Sequence, residues 1–204
     1  LADMIIVATD DERIFNAVKA FGGEVEMTSA DHKCGSDRIR EVVEHHPEIS
    51  YIVNLQGDEP LIKPESIDAV AKDVIDDDNA DISTLIRVLT KEEEINNPNQ
   101  VKCVIDNNSY ALYFSRSKIP YERNIGIATF YGHLGIYGYK REALLKMTAL
   151  PQTPLEKTES LEQLRALENG MKIKTSIVDF VPVGIDTKED LEKFRQIISQ
   201  QTLS

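Results

Sequence analysis

Tyr51-Ile-Val-Asn-Leu55 runs without a break into Gln56-Gly57-Asp58-Glu59-Pro60. A short, continuous apolar run is the pattern of a strand covered on both faces. In open α/β sheets, ligands collect just outside the carboxyl ends of such strands. Gly57 lets the backbone turn tightly there, and Asp58 offers hard oxygen ligands suited to a divalent cation. The same residues also fit a polar loop whose carboxylates only cap or face solvent, so the stretch needs its context.

Outward from this strand the elements alternate. Residues 4–8 form another apolar run, followed by Asp10 and Asp11 as candidate caps for a helix carrying Ile14, Ala17, Val18 and Phe21, which Gly22-Gly23 ends. Residues 24–27 read as a strand and 36–46 as a helix. Pro64 suits the first turn of a helix reaching Ile75. A strand over 82–88 and a short helix over 91–96 follow. This alternation predicts an open α/β sheet with parallel strands. Strand-like stretches at 101–105, 111–115 and 134–140, with polar turns between the first two, instead suggest antiparallel ribbons. The expectation is therefore a mixed sheet flanked by helices, with a small β-rich region. Helices over 156–169 and 187–200 flank a strand over 173–178.

Composition narrows the function classes. The chain has 204 residues, 41% of them hydrophobic and 28% charged, as expected of one globular domain with a sizeable core. No apolar run approaches the roughly 20 residues of a membrane span. Thirty-five acidic against twenty-three basic residues give a net charge of −12, which argues against a nucleic-acid partner. Cys34 and Cys103 suggest no disulfide framework, and the expected address is the cytoplasm.

Four further segments can carry chemistry. In Gly184-Ile-Asp186-Thr187-Lys-Glu189, Asp186 and Glu189 have capping-box spacing, and a capping carboxylate still has lone pairs for a metal. Gly35-Ser36-Asp37-Arg38 opens a helix, where Ser36 fits an N-cap or an anion donor and Arg38 offers a planar fork. In Tyr131-Gly-His133-Leu-Gly-Ile-Tyr137-Gly-Tyr139, strand alternation puts His133, Gly135 and Tyr137 on one face, facing either a sugar or a core. Glu159, Glu162 and Gln163 share one face of the expected helix, although Glu162 could instead pair with Arg165. His45-His46, at a helix end, reads as solvated and favoured by the dipole.

Together, Val7-Ala-Thr-Asp-Asp-Glu-Arg13, Asn54-Leu-Gln-Gly-Asp-Glu-Pro60, Ala111-Leu-Tyr-Phe-Ser-Arg-Ser-Lys-Ile-Pro-Tyr121, Gly132-His-Leu-Gly-Ile-Tyr137 and Leu161-Glu-Gln-Leu-Arg165 resemble the CMP-Kdo synthetases, the 3-deoxy-manno-octulosonate cytidylyltransferases. The resemblance runs along the whole chain and implies a Rossmann-like, GT-A type nucleotidyltransferase fold. It implies transfer of CMP from CTP to the anomeric hydroxyl of Kdo, releasing pyrophosphate, for lipopolysaccharide biosynthesis. By the same resemblance, Asp58 and Asp186 would hold Mg²⁺. Gln56 and Arg38 would contact the sugar or its carboxylate, and His133, Tyr137, Glu159, Glu162 and Gln163 would line the sugar pocket. The region around Tyr113-Phe-Ser-Arg116 resembles the part that pairs two subunits, implying a homodimer.

The family opens with a strand, a basic Gly-containing loop and a helix, and the chain begins at Leu1. The expectation is thus a single domain over 1–204 lacking its N-terminal βα unit, and with it the donors for the CTP triphosphate. The rival readings are a related transferase for 8-amino-Kdo or sialic acid, and a non-catalytic dimerising fragment.

Overall fold

A computed structural model describes residues 2–32, 34–180, 184–185 and 187–201. The chain opens with β1 (Ile6–Thr9), α1 (Glu12–Ala20) and β2 (Glu24–Met27), and the two strands pair in parallel. Asp11 caps α1 by accepting the Arg13 N–H. Gly22, at φ +82°, turns the chain out of the helix in the left-handed conformation that glycine adopts without strain.

The main sheet has six strands. After α2 (Gly35–His45) come β3 (Tyr51–Asn54), α3 (Pro64–Ile75), β4 (Ile82–Leu89), α4 (Glu92–Asn96), β5 (Lys102–Ile105), β6 (Ala111–Ser115) and β7 (Phe130–Lys140). The chain continues through α5 (Arg141–Ala149), α6 (Pro154–Glu159), α7 (Gln163–Glu168), β8 (Ile173–Ile177) and α8 (Lys188–Gln201). The strands lie in the order β6-β5-β7-β4-β8, and β3 also pairs with β7. Among the described strand pairs of this sheet only β4 with β8 is parallel; β3, β4 and β5 all pair antiparallel with β7. The expectation of parallel strands therefore holds for β1·β2, which form a separate two-stranded sheet, and for β4·β8, and the six-stranded sheet is mixed as expected.

Both faces of the sheet are covered, which is why its strands read as nearly continuous apolar runs. On one face, Val70 of α3 packs with Leu85, Leu134 and Ile136. On the other, Val43 of α2, Leu144 and Met147 of α5, and Leu164 of α7 close over Ile82, Ile86, Phe114 and Ile173. Gly138 makes the α3 contact possible. A Cβ there would lie 2.7 Å from the Val70 carbonyl oxygen, which also accepts a 2.6 Å bond from Ser83 Oγ.

Several local expectations are corrected. Helix α5 was not foreseen, although Ala143, Leu144 and Met147 bury one side of it at helical spacing. Strand β7 begins at Phe130, earlier than expected, because it is long enough to serve β3, β4 and β5. The helix expected over 156–169 is two short helices, broken at Ser160, which sits at φ 52°. A buried pair folds them together: Arg165 Nε donates to Glu156 Oε2 at 2.9 Å, with both side chains under a tenth exposed. Arg165 is thus taken by Glu156, so the pairing weighed between it and Glu162 does not form. Ser36 is not the N-cap of α2; that position is Cys34. At α8, Thr187 and Asp190 cap reciprocally: Asp190 N–H donates to Thr187 Oγ1 (3.2 Å), and Thr187 Oγ1 and N–H both donate to Asp190 Oδ2. The box expected between Asp186 and Glu189 is thus set one residue later at Thr187, while Asp186 itself lies outside the described residues.

Candidate active site

A cavity of about 250 Å³ opens over the face of β7 that carries His133, Gly135, Tyr137 and Tyr139. Gln56 after β3, Ile82 of β4 and Met147 of α5 form part of its wall. Ser160, Leu161 and Glu162, between α6 and α7, and Gln163, the first residue of α7, face β7 across it.

A bulge sets the β7 wall. Thr84 pairs with Tyr137, but the next residue, Leu85, pairs with Leu134, so Gly135 and Ile136 are extra on β7. An even insertion preserves alternation, so His133 and Tyr137 stay on one face as the sequence pattern requires. Thr84 Oγ1 fills the bulge, lying 2.8 Å from the Ile136 carbonyl oxygen, 3.1 Å from that of Leu134 and 3.0 Å from His133 Nε2. The hydroxyl has one proton, which goes to a carbonyl, so the imidazole donates from Nε2 and keeps Nδ1 as an acceptor. Burial lowers the His133 pKa to about 4, so the ring is neutral at physiological pH. Phe114 packs edge-on to it, with ring centroids 5.0 Å apart. Burial also raises the Tyr137 pKa well above that of a free phenol, leaving a neutral hydroxyl that can donate or accept.

The opposite wall is polar. Ser36 Oγ donates to Glu162 Oε2 at 2.7 Å, tying the first turn of α2 to this wall. Gln163 is 5% exposed, and its Nε2 has no hydrogen-bond partner among the described residues. A buried amide donor left unpaired on a cavity wall is suited to an acceptor supplied by a ligand. Gln56 is oriented by a 3.0 Å bond from its Nε2 to Asn54 Oδ1 at the end of β3. Burial and the nearby Glu162 push the Cys34 thiol up to about 12, so it is protonated and not a nucleophile at neutral pH.

The structure thus brings together five of the residues singled out from the sequence: Gln56, His133, Tyr137, Glu162 and Gln163. Two others lie elsewhere. Glu159 turns away from the cavity, accepting from Ser115 Oγ (2.6 Å) and from the Arg116 N–H (2.9 Å). Arg38 donates to Asp10 Oδ2 (2.9 Å) and to Thr28 Oγ1, beside the ends of β1 and β2. Asp58 is exposed, and its carboxylate joins no ion pair among the described residues. The Ile185 N–H donates to the Asp58 carbonyl at 2.9 Å, so the chain returns to this loop one residue before Asp186. No three His, Cys, Asp or Glu side chains gather as a metal site among the described residues. The exposed Asp58 carboxylate offers oxygen ligands of the kind that a hard divalent cation takes.

Sequence reading missed Tyr139, which continues the period of His133 and Tyr137 and was visible in that pattern. It also missed Ile82 and Met147, which reach the cavity from other elements and carry no local signal. The expected solvation of the histidine pair holds for His45, which is exposed while bonding to Glu26, and is corrected for His46, which is half-buried and bonds to Glu26 and Glu48.

Known proteins resemble this chain in sequence and in fold. The sequence family described as cytidylyltransferase matches residues 1–173. A 3-deoxy-manno-octulosonate cytidylyltransferase of Fusobacterium nucleatum subsp. nucleatum is 48% identical over 201 residues, covering 98% of this chain and 82% of the relative. The enzyme of that name from Thermodesulfovibrio yellowstonii is 49% identical over 205 residues, covering 94% and 80%. A solved structure of CMP:2-keto-3-deoxy-manno-octonic acid synthetase complexed with CTP superposes with a TM-score of 0.92 at 41% identity, covering 98% of this chain and 82% of that one. At 14% identity, a putative glucose-1-phosphate thymidylyltransferase from Bacillus anthracis shares the fold alone, with a TM-score of 0.60 and coverage of 95% and 74%. With the family matched over most of its length and near-half identity to these enzymes, this chain belongs to the 3-deoxy-manno-octulosonate cytidylyltransferases.

Proposed function

We propose that this protein transfers the cytidylyl group of CTP to the anomeric hydroxyl of 3-deoxy-manno-octulosonate, giving CMP-Kdo for lipopolysaccharide biosynthesis. The sugar oxygen forms a bond to the α-phosphorus, the bond from that phosphorus to the bridging oxygen breaks, and pyrophosphate leaves. The hydroxyl proton passes to solvent. The observation that carries this reading is the cavity between β7 and residues 160–163. One wall offers the His133 acceptor and the Tyr137 hydroxyl, the other the Glu162 carboxylate and the unpaired Gln163 amide. Acceptors and donors on facing walls suit a ligand dense in hydroxyl groups.

Glu162 is the only formally charged side chain among the described residues lining the cavity. The carboxylate of the sugar acid would therefore lie away from Glu162, toward Gln56. Asp58 and Asp186 would hold Mg²⁺, which supplies charge screening between the two anionic substrates when bound. Arg38 would lend its guanidinium from the ends of β1 and β2. The protein would act in the cytoplasm as a homodimer; no helix among the described residues is long and apolar enough to cross a membrane.

Pyrophosphate release by the full-length protein tests this reading. Release is expected with CTP, Mg²⁺ and Kdo together, and is expected to stop when the metal is chelated. Release with sialic acid or 8-amino-Kdo but not with Kdo would overturn the sugar assignment.

A further inference from the structure

Arg116 does not line the cavity, yet its hydrogen bonds converge on the one strained turn that does. Ser160 adopts a left-handed backbone conformation, φ 52° and ψ 53°, which is strained for a residue other than glycine. Such a conformation persists only where its surroundings impose it. Here Arg116 Nε donates to the Glu159 carbonyl at 2.7 Å and Nη2 reaches the Ser160 carbonyl at 3.4 Å. The Glu159 carboxylate completes the clamp by accepting from Ser115 Oγ and the Arg116 N–H.

The clamp is itself anchored. The Arg116 carbonyl accepts a 2.6 Å bond from Lys102 Nζ, and that fully buried ammonium also donates to the carbonyls of Asn97 and Gln100. Arg116 Nη1 reaches the Pro98 carbonyl at 3.2 Å. The end of the β5–β6 hairpin thus grips the chain at the point where α6 stops, immediately before Leu161, Glu162 and Gln163 enter the cavity wall.

We propose that Arg116 is a positioning residue for the sugar acid: it holds the Ser160 turn and so aims Glu162 and Gln163 into the cavity. This rests on reading the cavity as the sugar pocket. The Arg116 guanidinium reaches the Glu159, Pro98 and Ser160 carbonyls from three separate nitrogens of one rigid plane, a spread that the single nitrogen of a lysine does not reproduce. Arg116→Lys therefore keeps the charge and loses the grip.

The test is steady-state kinetics on the full-length protein with each substrate varied in turn, with Glu159→Gln as a second, smaller change should Arg116→Lys fold poorly. The expected result is a rise in KM for the sugar acid on the order of tenfold, since small misplacements of binding groups are costly. KM for CTP should stay within about twofold of the starting value, because the displaced groups would face only the sugar. Unchanged sugar KM in both variants would overturn the proposal, as would parallel rises in both KM values, which mark general damage. If the unaltered protein shows no turnover with CTP and any sugar acid, it is the functional reading that fails.

Discussion

At the scale of single residues, one hydroxyl decides the chemistry of the β7 wall. Thr84 joins two carbonyls of a bulge to the ring of His133, so removing it affects stability and site together. Thr84→Val keeps the shape but leaves buried polar groups unpaired, and we expect a loss of about 1–3 kcal/mol in urea unfolding. An unchanged midpoint would show that the bulge holds without it. Asp58 should behave in the opposite way, since it is exposed and outside the core. Asp58→Asn in the full-length protein is expected to lower kcat on the order of a hundredfold or more while leaving the melting temperature unchanged, as for loss of a group that holds a catalytic cation. Near-normal turnover would remove Asp58 from the metal site.

At the scale of elements, the two short helices α6 and α7 depend on one buried ion pair. Burial raises the pKa of Glu156, but the Arg165 guanidinium outweighs it and holds the carboxyl below its usual range. Glu156 also accepts the Thr153 N–H at 3.1 Å, fixing the start of α6. Glu156→Ala would leave the Arg165 charge buried without its partner, so we expect destabilisation of about 3–5 kcal/mol, read by chemical denaturation. A loss below about 1 kcal/mol would be the value of an exposed pair and would show that Arg165 finds water instead.

At the scale of the whole molecule, the β1–β2 sheet is tied to the rest partly through a histidine-carboxylate cluster. His46, at the end of α2, bonds to Glu26 of β2 and to Glu48, while its carbonyl accepts from Arg141 of α5. Hydrogen bonds that His46 donates to Glu26 and then to Glu48 raise its pKa. At Glu26, burial acts to raise the pKa, but bonds from His46 and His45 prevail and lower it. The Glu48 pKa is lowered as well, by a backbone bond and then by His46. A raised imidazole pKa stabilises the fold fully below the free histidine value, and that contribution fades as pH rises through the folded value. The lowered carboxylates contribute above the free carboxylate range and fade as pH falls through their folded values. The cluster should therefore contribute most at about pH 5.5, between the two ranges. His46→Asn should lower the melting temperature more at about pH 5.5 than at about pH 9, and an equal deficit at both would sink this account.

Period and punctuation alone determined much of this protein. Helix α3 occupies Pro64–Ile75 as expected, because proline at the first turn and an apolar stripe leave little alternative. The two faces of β7 followed from alternation, and motif order alone identified the family. What the sequence did not disclose are features in which distant segments act on each other. The pairing of β3 with β7, the bulge filled by Thr84, the break at Ser160 and the turning of Glu159 toward Ser115 each depend on partners far away in the chain. Local periodicity carries no record of such partners, because it reports which side of an element is buried and not what buries it. The Gln56-Gly-Asp-Glu-Pro60 loop could thus be recognised as a ligand-side turn from sequence, but only the tertiary structure set Gln56 opposite Tyr137 and Glu162 around one cavity.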